Sequence, residues 1–148
     1  MKIQFPNIGI VGTGAMGRGI AQISAQAGSQ VFLLDANPGA AQAAQAALQE
    51  QWAKLVAKGR IEADEATALA ARLHPVQAVA DLAGCDLVVE AIVERLDVKK
   101  TLFAELEAVV RSDAVLATNT SSLSVTAIAA GLQRPERLAG FHFFNPVP

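Results

Sequence analysis

The sequence has 148 residues, 52% of them hydrophobic, and a formal net charge of −2 at pH 7. This length and composition are typical of one globular domain with a single buried core. The near-neutral charge and the lack of basic runs interleaved with aromatic residues argue against nucleic acid as a partner. No apolar run approaches the roughly 20 residues that a transmembrane helix needs, and the first residues lack the apolar core of a signal peptide. We therefore expect a cytoplasmic protein without a membrane segment.

Short apolar runs alternate with longer helical stretches, which predicts a parallel sheet with helices on both faces. The predicted strands, in chain order, are residues 8–11, 31–34, 87–89, 115–117 and 138–144, with a weaker candidate at residues 76–79. Between the second and third of these runs, residues 38–73 are rich in helix-forming residues and are interrupted at Gly59. We interpret them as a helical hairpin, with a solvated cover helix as the alternative. The fold class is α/β, a Rossmann-type doubly wound sheet.

The first strand leads directly into a glycine-rich turn. Gly12, Gly14 and Gly17 form the pattern G-x-G-x-x-G between a predicted strand and a predicted helix, which is the context that gives this motif meaning. Gly12 permits a tight turn, Gly14 leaves room for a pyrophosphate, and Gly17 lets the helix pack close to the strand. The free amides at the helix start favour phosphate binding. The predicted cofactor-binding loop comprises Gly12, Thr13, Gly14, Ala15, Met16 and Gly17, and we expect Gly19 to add close helix packing.

The second predicted strand ends at Asp35, 18 residues after Gly17. A carboxylate at this position can accept hydrogen bonds from both ribose hydroxyls of the adenosine and would repel a 2′-phosphate, which favours NAD over NADP. The alternative is that Asp35 caps the helix that follows. The single cysteine, Cys85, cannot form an internal disulfide and has no metal-ligating cluster around it, so we interpret it as a small buried apolar residue.

Three later stretches place polar residues just past predicted strands: DLVVEAIVERLDVKK, ATNTSSL and GFHFFNPVP. Together with the glycine loop, they resemble the NAD-binding domain of the 3-hydroxyacyl-CoA dehydrogenases over essentially the whole chain. The combination of NTSSL with HFFNPVP is the most specific part of this resemblance, and KLVAKGRI is similar to the bacterial phenylacetate-catabolism branch. The resemblance implies oxidation of the 3-hydroxyl of an acyl-CoA by hydride transfer to NAD.

The resemblance also implies roles for individual residues. His142 corresponds to the catalytic base, a task that suits an imidazole at neutral pH, and Ser121 to the serine that contacts the substrate 3-oxygen. Asn145 matches the position near the nicotinamide ribose. Each residue has an alternative without a catalytic role. His142 would be a histidine at an apolar strand end, and Ser121 would cap a predicted helix at residues 124–130. Asn145 would be a turn residue. We place the other histidine, His74, in a surface turn.

Further positions match the family less specifically. Glu94 and Lys99 correspond to residues beside the nicotinamide ribose, although their spacing also suits an exposed pair at a helix start. Glu90 ends the preceding strand and is not assigned to the site. Lys58 matches a lysine that contacts coenzyme A, with a solvated surface lysine as the alternative, and Gln51 stands where some relatives have a coenzyme-contacting serine.

The family pattern extends past Pro148 with a glutamate that orients the catalytic histidine and a helical domain that carries most of the dimer interface. We therefore expect residues 1–148 to be the amino-terminal NAD-binding part of a longer, homodimeric enzyme, with little or no turnover in isolation. Two alternatives remain at this point. One is another NAD-dependent hydroxy-acid dehydrogenase, which resembles the chain only near its amino terminus and uses a lysine as base. The other is a non-catalytic dinucleotide-sensing module.

Overall fold

A six-stranded parallel sheet organises the computed structural model, which describes residues 3–143 and 147. Its strands are β1 (Asn7–Val11), β2 (Gln30–Leu34), β3 (Leu73–Pro75), β4 (Leu87–Glu90), β5 (Val115–Thr118) and β6 (Leu138–Gly140). They lie in the order β3-β2-β1-β4-β5-β6, the order of a dinucleotide-binding doubly wound sheet. The predicted Rossmann-type α/β fold is confirmed.

Five α-helices cover the two faces of the sheet: α1 (Ala15–Gln26), α2 (Ala40–Ala57), α3 (Ala63–Ala71), α4 (Leu96–Val109) and α5 (Val125–Ala129). The side chains of each strand alternate between the two faces, so the apolar residues separate into two cores. One core joins the sheet to α1, α2 and α3, with Trp52 among its largest buried side chains. The other joins it to α4 and α5 and includes Phe103 and Ile128.

The strand register aligns the carboxyl ends of five strands. Val11 of β1 pairs with both Leu34 of β2 and Glu90 of β4, Glu90 pairs with Thr118 of β5, and Thr118 pairs with Gly140 of β6. The loops that follow these five residues therefore emerge side by side along one edge of the sheet, which we call the carboxyl edge. Successive strands are added on one side of β1 up to β3 and on its other side from β4 onwards, so the strand order reverses between β1 and β4. Ligands of such sheets bind in the crevice at this switch point.

The helical hairpin predicted between β2 and β3 is confirmed as α2 and α3. Gly59 separates the two helices with a φ of +70°, a left-handed conformation that glycine adopts without strain. Cys85 is buried, as predicted, and burial, followed by the charge of Asp86, raises the pKa of its thiol to about 12. Within the described part of the chain, none of the helices has both the length and the apolar character needed to cross a bilayer.

Two strand predictions were wrong in position. The weak candidate at residues 76–79 is not a strand, since β3 lies at Leu73–Pro75 and Val79 begins a short 3-10 helix. His74 accordingly lies on β3, not in a surface turn: its ring stacks on Phe32 with centroids 5.1 Å apart, and its Nε2 is 2.7 Å from Gln30 Oε1. An edge strand tolerates Pro75 because its missing N–H is not needed for a further pairing. The last strand, predicted to span residues 138–144, ends at Gly140, and Phe144 lies outside the described residues.

A Gly17→Ala substitution tests how closely α1 packs on the turn after β1. A Cβ at position 17 would lie 1.7 Å from the carbonyl oxygen of Gly12, so the backbone would have to move. We expect a loss of about 3 kcal/mol in the free energy of unfolding, typical of overpacking, measured by urea denaturation followed through the fluorescence of Trp52. Gly84→Ala is the matched control, because its Cβ would have no neighbour within 4 Å. Equal stability of the two variants would contradict the close packing.

Candidate functional site

The glycine loop has the geometry expected of a phosphate cradle. Gly12 has a φ of +95°, and a Cβ there would lie 2.5 Å from the carbonyl oxygen of Ala91. Among the described residues, a Cβ on Gly14 would meet nothing within 4 Å, so the backbone here faces open space in this part of the chain. Helix α1 begins at Ala15 without a side-chain cap and with no acidic residue in its first turn. The amides of this turn and the helix dipole therefore suit an anion.

The predicted packing role of Gly19 agrees with the structure, because a Cβ there would lie 2.5 Å from the Cβ of Val147. Of the loop residues named from the sequence, Gly14 and Ala15 are exposed, Met16 is half-buried, and Thr13 is buried. The residues present fit a dinucleotide pyrophosphate, and its contact with the loop stays a prediction.

Asp35 follows β2 at the carboxyl edge, beside this loop. Its Oδ2 accepts hydrogen bonds from the backbone N–H and the hydroxyl of Thr13, both at 2.8 Å, and its Oδ1 accepts one from the Asn37 N–H at 2.9 Å. Burial raises the pKa of Asp35, but these hydrogen bonds outweigh it and leave the pKa below its usual value. The carboxylate is thus ionised at neutral pH and fixed in position. The hydrogen bond from the Asn37 N–H is a local turn contact. Ribose binding by Asp35 stays a prediction.

A groove of about 560 Å³ opens beside Asp35. Apolar side chains from β1, β2 and the loop after β4 line its floor, and Val98 and Leu102 of α4 line one wall. Asp35 also lines a smaller neighbouring pocket of about 290 Å³. Asp97 and Glu105 of α4 line this groove as well. A mostly apolar cleft with the fixed carboxylate of Asp35 at its rim suits the adenosine half of a dinucleotide.

On the β4 side of the switch point, a buried lysine joins helix α4 to the end of β4 and to the loop after it. Lys99, in the first turns of α4, is fully buried, and its ammonium forms ion pairs with Glu90 and, at 3.2 Å, with Glu94. Glu90, also fully buried, accepts a hydrogen bond from the hydroxyl of Thr118 at 2.5 Å and another from the Ile92 N–H at 2.7 Å. The alternative of an exposed pair at a helix start is therefore wrong, because Lys99 lies on the same buried side of α4 as Phe103.

Glu94 connects this buried lysine to the loop after β5. Its Oε2 accepts hydrogen bonds from the hydroxyls of Thr120 at 2.8 Å and Ser122 at 2.9 Å. Burial raises the pKa of Glu94, but hydrogen bonds from Thr120, Ser122 and Lys99, together with the lysine charge, lower it to about 2. The lysine ammonium is enclosed in this structure, so Glu94 is the more accessible of the two side chains. Direct cofactor contact by either residue stays a prediction.

Ser121 and His142 lie on adjacent loops of the carboxyl edge. Ser121 is exposed, between the two residues that Glu94 holds. The chain continues beyond β6 alongside the β5 loop: the Phe141 N–H donates to the Thr118 carbonyl at 2.8 Å, and the Phe143 N–H donates to Asn119 Oδ1 at 2.9 Å. His142, between these two anchored residues, is exposed.

Helix capping does not explain Ser121. The N-cap of α5 is Ser124, whose hydroxyl oxygen accepts a hydrogen bond from the Ala127 N–H at 3.1 Å. The capping alternative for Ser121 is therefore wrong, and its hydroxyl lies at the carboxyl edge instead. Asn145, the residue predicted near the nicotinamide ribose, lies outside the described residues.

Lys58 is placed apart from the other predicted site residues. It follows the last residue of α2, and at 1.5 Å per residue the 18-residue helix puts it about 27 Å from the helix start, which is near Asp35. Lys58 and Gln51 are both exposed. The structure thus brings the glycine loop, Asp35, Glu94, Ser121 and His142 to the carboxyl edge but leaves Lys58 on the tip of the hairpin.

Comparison with known proteins matches this arrangement to a family. The profile described as 3-hydroxyacyl-CoA dehydrogenase, NAD binding domain, covers residues 7–148. The chain belongs to this family. The predicted resemblance is confirmed, and the family description names NAD, the predicted cofactor. A match that runs far beyond the glycine loop also disagrees with the alternative of a hydroxy-acid dehydrogenase similar only near the amino terminus.

Several relatives share this NAD-binding domain. The 3-hydroxyadipyl-CoA dehydrogenase of Escherichia coli (strain K12) is 44% identical over 148 residues, which are 100% of this chain and 31% of that protein. The 3-hydroxybutyryl-CoA dehydrogenase of Bradyrhizobium diazoefficiens is 40% identical, and the match covers 100% of this chain and 50% of that protein. The crystal structure of 3-hydroxybutyryl-CoA dehydrogenase from Escherichia coli K12 superposes with a TM-score of 0.94 at 43% identity, over 99% of this chain and 31% of that one. The chain therefore spans a third to a half of these relatives.

The sequence did not identify Glu90 as a site residue of this 3-hydroxyacyl-CoA dehydrogenase domain, although it anchors Lys99. A signal for it exists in the sequence: Lys99 shares the spacing of the buried Phe103 and Leu106, so it lies on the apolar stripe of α4. A lysine on that stripe needs a carboxylate partner. Glu90, at the end of the wholly buried β4, is the nearest one in sequence on a buried element.

The hydrogen bonds of Glu94 predict a pH-dependent contribution to stability. Its pKa is about 2 in the folded protein and near 4.5 in the unfolded chain, so the ionised carboxylate stabilises the fold fully above pH 4.5 and progressively less below it. The measurement is the free energy of unfolding of the native protein and of Glu94→Gln between pH 7 and pH 3. We expect the difference between them to be constant down to about pH 5 and then to shrink.

Glu65→Gln, at an exposed position of α3, is the control for the loss of one surface charge. Its effect on the free energy of unfolding at each pH is subtracted from the effect of Glu94→Gln. A difference that does not change between pH 7 and pH 3 would show that the Glu94 contacts are absent in solution.

Proposed function

We propose that this chain binds NAD at the carboxyl edge of its sheet and forms the dinucleotide-binding domain of an L-3-hydroxyacyl-CoA dehydrogenase. The observation that supports this most is the strand register, which aligns the ends of β1, β2, β4, β5 and β6. In the spatial order β2-β1-β4-β5-β6, the loops after these strands carry the ribose carboxylate, the phosphate cradle, Glu94, Ser121 and His142. A single extended ligand can contact all of them.

The adenosine half of the cofactor would lie in the groove beside Asp35, with its pyrophosphate at the start of α1. Gly14 leaves the space and the first turn of α1 supplies the positive end of a dipole. The nicotinamide half would then extend across the β1/β4 boundary towards Glu94 and Ser121. When bound, NAD supplies the hydride acceptor.

The chemistry of the protein's own residues would centre on the substrate hydroxyl. His142 takes the proton of the 3-hydroxyl as general base, and in the reverse direction it returns the proton to the ketone as general acid. Ser121 donates a hydrogen bond to the 3-oxygen, where negative charge develops as the proton leaves. Glu94 supports Ser121 indirectly, since it holds the residues on both sides of it.

The names of the relatives indicate acyl-CoA thioesters as the substrate class. We propose that Lys58 meets the coenzyme A portion of such a substrate as a point charge on the hairpin tip. The acting enzyme would be a cytoplasmic homodimer in which this chain is the amino-terminal domain, with a helical part completing the substrate site and a carboxylate orienting His142. The phenylacetate-catabolism branch stays a prediction from the sequence alone.

Calorimetric titration of the 148-residue chain with NADH and with NADPH tests the cofactor assignment. We expect NADH to bind about tenfold or more tightly, because a 2′-phosphate near the Asp35 carboxylate meets a repulsion of about 1 kcal/mol per charge even in water at 4 Å. Asp35→Asn should remove most of this preference. Asp113→Asn, at an exposed site paired with Arg111, should keep it. Equal affinity of the native chain for both nucleotides would disprove the role of Asp35.

Replacement of His142 distinguishes an enzyme from a dinucleotide sensor. In a protein that contains this chain and oxidises a 3-hydroxyacyl-CoA, His142→Ala should lower kcat/KM by about 10²- to 10⁴-fold, the usual contribution of a general base, without changing the affinity for NADH. His74→Ala on β3 is the matched histidine control and should retain turnover. Unchanged turnover in His142→Ala would refute its role as base, and NADH binding without any turnover in the native protein would favour the sensor.

A further inference from the structure

We propose that Thr13 is a positioning residue that sets the preference for NAD over NADP by holding the carboxylate of Asp35 in one orientation. The inference rests on the proposed NAD binding and assigns the threonine hydroxyl a task that the glycine motif does not require. That motif assigns tasks to its glycines and leaves the residue between the first two unspecified. Here the side chain is buried and directed at the ribose carboxylate, 22 residues away in sequence.

The hydrogen bonds of Asp35 determine how much of it remains for a ligand. An ionised carboxylate has about four acceptor positions, two on each oxygen. Thr13 occupies both positions on Oδ2, through its N–H and its hydroxyl at 2.8 Å each, and Asn37 occupies one on Oδ1 at 2.9 Å. One position on Oδ1 is left. Asp35 can therefore accept one ribose hydroxyl directly in this arrangement, and the threonine fixes which side of the carboxylate offers it.

The backbone around Thr13 makes this arrangement rigid. The Gly12 N–H donates to the Leu34 carbonyl at 2.9 Å. Gly12 is therefore bonded to Leu34 just as Thr13 is bonded to Asp35. A β-branched side chain such as threonine has few χ1 rotamers, which keeps its hydroxyl on Oδ2. The turn after β1 and the turn after β2 are thus joined by three consecutive hydrogen bonds.

A fixed carboxylate discriminates between cofactors more strongly than a mobile one. Hydrogen bonds from Thr13 and Asn37 keep Asp35 ionised despite its burial. Held on Oδ2, it cannot turn away from a 2′-phosphate, so the repulsion is retained in full. Without the threonine hydroxyl, the carboxylate can rotate to reduce that repulsion, and it also loses the orientation that favours the ribose hydroxyl. Both changes lower the ratio of NADH affinity to NADPH affinity.

The test is calorimetric titration of the 148-residue chain and its Thr13→Val variant with NADH and NADPH. Valine has the shape of threonine and keeps the backbone N–H but lacks the hydroxyl. We expect NADH affinity to fall about five- to tenfold, the factor that corresponds to the net contribution of one ordinary hydrogen bond, while NADPH affinity is unchanged or rises. Thr13→Ser, which restores the hydroxyl, should return the native ratio. A purely structural role of Thr13 would instead lower both affinities together.

Two further variants keep the result interpretable. Thr67→Val removes a threonine hydroxyl that bonds to the Ala63 carbonyl within α3, and it should leave both affinities unchanged. Thr13→Ala replaces the valine variant if the latter has a lower Tm than the native chain. In Asp35→Asn, where the carboxylate charge is gone, adding Thr13→Val should not change the affinity ratio further, because Thr13 acts through Asp35.

The outcomes separate the two proposals. If the native chain binds neither nucleotide, the proposed function fails and the inference fails with it. If the native chain prefers NADH and Thr13→Val retains the same ratio, the proposed function stands and the inference is overturned. A ratio that falls equally in the native and Asp35→Asn backgrounds also overturns it, because Thr13 would then act independently of the carboxylate.

Discussion

The buried ammonium of Lys99 constrains the part of the carboxyl edge formed by the loops after β4 and β5 more than any other interaction described above. Removing such a charge from water costs several kcal/mol unless carboxylates and further hydrogen bonds compensate it. Glu90 and Glu94 supply the carboxylates, and Thr118 completes the bonds of Glu90. These partners come from the end of β4, the loop after it and the end of β5, so each of these segments can adopt only the position that satisfies the lysine.

On the β2 side of the switch point, Asp35 fixes a loop in the way that Glu94 does on the β4 side. Asp35 binds Thr13 of the glycine loop just as Glu94 binds Thr120 and Ser122 of the β5 loop. In each case an acidic residue that follows one strand fixes the loop that follows a neighbouring strand. A ligand lying across the edge meets loops that are already ordered, and it avoids the entropy cost of ordering them.

The parts of this structure that local sequence determines could be predicted. The glycine loop, the two-helix hairpin and the four longer strands β1, β2, β4 and β5 follow from residue spacing and apolar runs, since each element is encoded by residues close together in the sequence. Strand β3 was misplaced because only Leu73 among its three residues is buried, which leaves no alternating pattern to recognise. The partnership of Glu90 with Lys99 and Thr118 was missed because it joins separate elements, and burial of a charge is not expected from composition.

The contrast between Thr13 and Lys99 shows why family motifs and physical contacts must be weighed separately. The motif assigns Thr13 to the cofactor loop and Lys99 to the nicotinamide side, yet both side chains are buried and bonded to acidic residues of the protein. The side chains that bond them and remain accessible at the carboxyl edge are Asp35, which is half-buried, and Glu94, which is exposed. Under the proposed function, specificity at this edge depends on how firmly the two carboxylates are held, so a change in either holding residue would alter recognition.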